Sequence, residues 1–108
     1  MKTTTFLEGF ERNEAPPKVT MFLFTDHFVK RMRERGVPNP NGLLLKVAKK
    51  KLRAKIRKDC PKSGTREDCV YWYFTNVLKQ TFVYVSVPSG VNNYIMITCL
   101  RYDNPIKL

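Results

Sequence analysis

The spacing of apolar residues changes several times along the chain, and each change marks an element. Lys18 to Phe24 (Lys-Val-Thr-Met-Phe-Leu-Phe) is short, aromatic and β-branched, which predicts a buried strand. Beyond it the period lengthens. Phe28, Val29 and Met32 form one stripe, while His27, Lys30, Arg31, Glu34 and Arg35 recur on the opposite face at spacings of three and four. Thr25 suits the N-cap of this helix, and Asp26 suits the positive end of its dipole. Gly36 supplies the stop, with Pro38 beyond it. After the loop Pro38-Asn39-Pro40-Asn41-Gly42, a second helix is expected from Leu43 to Lys58. Leu45, Ala48, Leu52 and Ile56 would form its core stripe, widened by Leu44 and Val47. Lys46, Lys49, Lys50, Lys51, Arg53, Lys55, Arg57 and Lys58 cover much of the rest of that helix.

Cys60 to Asp68 reads as a Pro/Gly/Ser loop, and three strand-like runs follow: Val70–Thr75, Thr81–Val87 and Tyr94–Arg101. Their connections, Asn76–Gln80 and Pro88–Asn93, are short, so an antiparallel meander is the natural arrangement. The expected fold is therefore α+β: strand, two helices, then a three-stranded antiparallel meander, with both helices packed on one face of the sheet. Residues 1–17 are polar, contain Pro16-Pro17 and keep no period. They predict a flexible arm ahead of a single domain over 18–108.

Charge sharpens this picture. The chain has 108 residues, enough for one compact domain, and a formal net charge of +11. Residues 1–25 and 67–108 each balance to zero, so residues 26–66, with 14 basic and 3 acidic side chains, hold the whole excess. Such concentration points to an anionic partner, nucleic acid before membrane. A lysine-rich helix face without an acid between Gly42 and Lys58 would track a phosphate backbone with strong salt dependence. A membrane role is disfavoured: the apolar stripe is needed for the core and has no Trp or Phe anchor. The uncharged run 80–100 is broken by Pro88-Ser89-Gly90 and Asn92-Asn93, so it reads as two strands rather than a transmembrane helix.

The start of the chain lacks the apolar stretch of a secretory signal, and three cysteines (Cys60, Cys69, Cys99) cannot all pair within one chain. Free thiols in a reducing cytoplasm are expected, the alternative being a Cys60–Cys69 bridge. The cysteines and the single histidine are not at zinc-site spacings, so no metal is expected. There is no Gly-rich phosphate loop, serine elbow or acidic metal cluster, which disfavours ATP hydrolysis and two-metal nuclease chemistry and implies no cofactor.

The run Asp26-His27-Phe28-Val29-Lys30-Arg31-Met32-Arg33-Glu34-Arg35-Gly36 resembles the first-helix signature of small bacterial and phage domains of the RelE/ParE-like toxin superfamily. Those helices show His, then Arg four residues on, then Glu-Arg-Gly, matched here by His27, Arg31, Glu34, Arg35 and Gly36. The family's last strand corresponds to Ile97-Thr98-Cys99-Leu100-Arg101. The resemblance implies metal-independent endoribonuclease activity or interference with nucleic-acid machinery. Some relatives inhibit gyrase or have lost catalysis, so a non-catalytic binder or a host-protein inhibitor is the alternative. The implied partners are nucleic acid, RNA favoured over DNA, and an acidic antitoxin or host protein.

His27, Arg31 and Thr98 are the candidate catalytic residues. His27 is the only side chain whose ordinary pKa lies near neutrality, and could take the 2′-hydroxyl proton in internal attack on RNA. Arg31, one turn along, could hold the scissile phosphate bidentately. The plainer roles are a capping-turn histidine and a solvated Arg31/Arg35 face paired with Glu34. By strand alternation Tyr94, Met96, Thr98 and Leu100 face one way, and Ile95, Ile97, Cys99 and Arg101 the other. This favours Thr98 as a site residue and makes Arg101 secondary. Arg35, Lys46, Lys49, Lys50, Arg53, Arg57 and Arg101 are the expected nucleic-acid contacts. Tyr71, Tyr73 and Tyr84 could stack on bases, although aromatic residues in strands are more often core.

Overall fold

The computed structural model describes residues 21–61 and 69–106; the expected N-terminal arm, residues 18–20 of the first strand and residues 62–68 of the loop lie outside them. Seven elements follow in order: β1 (Met21–Phe24), α1 (Asp26–Arg35), β2 (Lys46–Val47), α2 (Lys50–Asp59), β3 (Val70–Thr75), β4 (Thr81–Pro88) and β5 (Asn93–Tyr102). The class is α+β. The strands form one mixed sheet in the order β1-β5-β4-β3-β2. β3, β4 and β5 make the expected antiparallel meander, β1 joins β5 in parallel, and β2 joins β3 antiparallel.

α1 forms where its caps place it. The Thr25 hydroxyl accepts from the Phe28 amide at 3.0 Å and donates to the Met96 carbonyl at 3.0 Å, so one side chain both starts the helix and ties it to β5. Gly36 ends it with φ of 63°, and its N–H bonds the Met32 carbonyl. A Cβ at Gly36 would also come within 2.8 Å of the Arg101 guanidinium, a second reason for glycine there.

The second helix departs from expectation. It begins at Lys50, and the chain before it is extended. Leu43, Leu45 and Val47 pack on the α1 side of the sheet, whereas Leu44 is 89 % exposed and Lys46 points to solvent. That is period two, the signature of a strand. Lys46 and Val47 pair with Tyr73 and Trp72, and the Ala48 amide bonds the Tyr71 carbonyl at 2.7 Å. The edge of β3 supplies ladder partners that the local sequence does not reveal.

This crossing also corrects the expectation that both helices share a face. Along β4, Phe82 and Tyr84 pack with Phe28 of α1, while the alternate residues Val83 and Val85 pack with Leu52 and Ile56 of α2. Neighbouring residues of a strand point to opposite faces, so α1 covers one face and α2 the other. The α1 face is aromatic. Trp72 meets both Phe22 and Tyr94 edge-on at 5.4 Å, and its indole N–H donates to the Ser86 hydroxyl at 2.8 Å. Among the described residues, no helix is long and apolar enough to cross a membrane.

Candidate nucleic-acid interface

Opposite placement divides the cations into two groups. On α1, His27 lies in the first turn, exposed, and its imidazole makes no hydrogen bond among the described residues. Arg31 is one turn along, and its guanidinium donates to Glu34 at 2.6 Å. That bond, reinforced by the charges of Arg31, Lys30 and Arg35, holds the Glu34 carboxyl below the usual range. Arg35 turns inward and donates to the Cys99 carbonyl at 2.6 Å, fastening the end of α1 to β5. Arg101 donates through Nε to Asp103 at 2.6 Å. Most cationic groups near α1 are thus engaged by the protein itself.

Thr98 and Arg101 exchange the places expected for them. Val85 pairs with Thr98 but Ser86 pairs with Met96, so Ile97 is an extra residue, a β-bulge in β5. The bulge reverses the alternation beyond it. Cys99 and Arg101 now share the α1 face with Met96, while Thr98 and Leu100 join the α2 face. Arg101 therefore sits beside Gly36 at the end of α1, whereas Thr98, only 3 % exposed, lies across the sheet from His27 and Arg31. The structure brings Arg31 and Arg35 towards Cys99 and Arg101 beside Gly36, and leaves Thr98 out. Burial pushes the Cys99 thiol up to about 11, against a smaller opposing pull from Arg35 and Arg31.

α2 is different. It reads Lys-Lys-Leu-Arg-Ala-Lys-Ile-Arg-Lys-Asp, six bases and one acid in ten residues. Leu52 and Ile56 are its buried stripe. Lys50, Lys51, Lys55, Arg57 and Lys58 are exposed and Arg53 is half-buried, with exposed Lys46 and Lys49 just ahead of the helix. The single acid is already taken: Asp59 accepts from the Tyr102 hydroxyl at 2.7 Å and sits 3.5 Å from the Lys55 ammonium. Those two contacts, led by the hydroxyl, keep its carboxyl below the usual range. Burial and the Asp59 bond push the Tyr102 phenol upward in turn. Arg57 lies over the Tyr71 ring at 5.8 Å, and Lys55 over the Tyr102 ring at 5.1 Å. No ion pair neutralises Lys46, Lys49, Lys50, Lys51, Arg53 or Lys58 among the described residues.

The sequence-derived contacts Lys46, Lys49, Lys50, Arg53 and Arg57 all belong to this side. Lys51 and Lys58, left out of that set, are exposed on the same helix and belong with them. Arg35 and Arg101 belong to the other face. Among the described residues, no three His, Cys, Asp or Glu side chains gather as metal ligands would. Comparison with protein-family models, with curated proteins and with solved structures finds no match.

Proposed function

We propose that this chain is a nucleic-acid-binding protein that lays a phosphate backbone along the solvent side of α2. The observation that carries this reading is the helix itself, with six bases and a single acid that the protein already neutralises. A helix that only needed solubility would interleave Glu with Lys at spacings of four. The likeness of α1 to RelE/ParE-like domains favours RNA over DNA, and a reducing cytoplasm is the compartment that goes with it. An acidic antitoxin or host protein would engage the same cations and would compete with RNA.

Fluorescence anisotropy with labelled RNA and DNA oligonucleotides over a salt series tests the reading. Contact with four to six phosphates gives log K falling against log salt with a slope of about −3 to −4 on single strands. A flat salt response, or no binding at low salt, sinks it.

A second reading, metal-independent RNA cleavage, is favoured by one observation: His27 is exposed, holds no described partner and stands one turn from Arg31. An imidazole so placed would take the proton of a 2′-hydroxyl as its oxygen attacks phosphorus, and the guanidinium, released from Glu34, would stabilise charge on the phosphorane. The 5′-oxygen would leave as the P–O5′ bond breaks, taking a proton from the imidazolium or water. Thr98 has no part in this arrangement. Cleavage of RNA in EDTA that disappears in His27→Ala supports the enzyme; cleavage that persists in the variant removes His27 from the chemistry.

A further inference from the structure

We infer that Tyr73 is a stacking platform for one unpaired base, and hence that the polymer held by α2 is single-stranded. The inference rests on the reading of α2 as a phosphate-binding face.

The five tyrosines are not equivalent. Tyr71 and Tyr84 are buried in the two cores, Tyr94 packs on Trp72, and the Tyr102 hydroxyl is bound to Asp59. Tyr73 is half-buried against the α2-side core, and among the described residues its side chain has neither a hydrogen bond nor a ring contact. It points to the α2 face of the sheet, near the β2 edge. Lys46 is its direct cross-strand partner and therefore projects from the same face beside it.

Tyr73 also lines two hollows at once. One, of about 530 Å³, carries Lys46 and Lys79 on its wall. The other, of about 260 Å³, is formed with Lys49, Lys50, Lys51 and Leu52 at the start of α2. Neither contains an acidic residue. An aromatic side chain between two sets of lysines matches the chemistry of a nucleotide chain, in which a flat base is flanked by phosphates on both sides. Duplex bases are stacked on one another and offer no face to an aromatic ring, so this geometry selects a single strand or an unpaired loop.

The test uses the whole chain with single-stranded oligonucleotides carrying one 2-aminopurine, and with a duplex of the same length. Stacking on Tyr73 changes the 2-aminopurine emission on binding, and the single strand binds more tightly than the duplex. Tyr73→Ser lowers single-strand affinity by about tenfold to a hundredfold and abolishes the emission change, while Tyr73→Phe keeps both. Circular dichroism verifies that each variant is folded, and the emission change in the unmodified chain needs no variant at all. Equal affinity for duplex and single strand, or unchanged 2-aminopurine emission on binding, overturns the stacking inference and leaves the phosphate-binding reading intact. Failure of every oligonucleotide to bind at low salt overturns both.

Discussion

α1 and α2 are each ten residues long, basic on one side and apolar on the other, and they lie on opposite faces of one sheet. Their charges differ at the N-terminal end. α1 follows its dipole: Thr25 caps it, Asp26 sits in the first turn, and Arg33 and Arg35 sit in the last. α2 opposes its dipole at the start, where Lys49 occupies the N-cap without a side-chain bond and Lys50 and Lys51 fill the first turn, and follows it only at the end, through Arg57 and Lys58. Each cation so placed costs a few tenths of a kcal/mol to about 1 kcal/mol at an exposed site. In α1 the charged groups serve the fold, through Arg31–Glu34 and Arg35–Cys99. In α2 Lys55 and Arg57 have such partners, but Lys50, Lys51, Arg53 and Lys58 raise a positive field that no described ion pair neutralises. A helix that tolerates such repulsion is held by its apolar stripe and is suited to a partner that supplies the missing negative charge.

The contrast is open to attack at several points. Phe28 is fully buried between Phe24 and Tyr84, so Phe28→Ala should remove about 3–5 kcal/mol from the urea-unfolding free energy. Leu52→Ala, the matching truncation under α2, should fall within about 2–5 kcal/mol. If neither truncation moved the midpoint, the two-core description would fail. Charge reversal separates the helices next. Lys50→Glu, Lys51→Glu and Arg53→Glu together should weaken oligonucleotide binding by about a hundredfold or more near physiological salt, whereas Lys30→Glu with Arg33→Glu should change it by less than about threefold. Equal losses from both sets would mean that the polymer is not confined to α2.

Lys49→Asp gives α2 the cap and the charge that α1 already has. It should stabilise the fold by about 0.5–1 kcal/mol while lowering nucleic-acid affinity, a pair of opposite shifts read by unfolding and by anisotropy. A further effect concerns the α1 face in alkali. The Cys99 thiol is held at about 11 against an ordinary 9.0. A group whose proton is held more tightly in the folded state contributes stability below its ordinary value and loses it as pH rises through the folded one. Thermal midpoints should therefore decline between about pH 9 and 11, and Cys99→Ala should make that decline shallower.

Local chemistry made part of this architecture readable in advance. Thr25, Gly36 and the 3.6-residue period mark α1 almost to the residue, and alternation between turn residues does the same for β3, β4 and β5. The start of α2 was not readable, because Leu43 to Ala48 fits both periods and the deciding partner, the open edge of β3, is more than twenty residues away. The same holds for the faces of the sheet. Nothing in Ile97-Thr98-Cys99 announces a bulge, yet that one extra residue moves Arg101 beside α1 and Thr98 away from it. The cationic character of α2 was legible from composition. The assignment of its lysines to a face apart from His27 depended on the chain crossing the sheet edge at β2.

β3 spells Val-Tyr-Trp-Tyr-Phe-Thr, six residues with no charge among them. A strand of that composition left open at a sheet edge recruits the same strand from another copy and begins a fibril. β2 covers only Trp72 and Tyr73 in the ladder, but it brings Lys46 to the rim, with Lys49, Lys50 and Lys51 following after Ala48. Two copies approaching edge to edge must bring those ammonium groups together. The lysines therefore act as a colloidal safeguard as well as the proposed docking surface, and the protein is most exposed to self-association when salt or a polyanion has neutralised them.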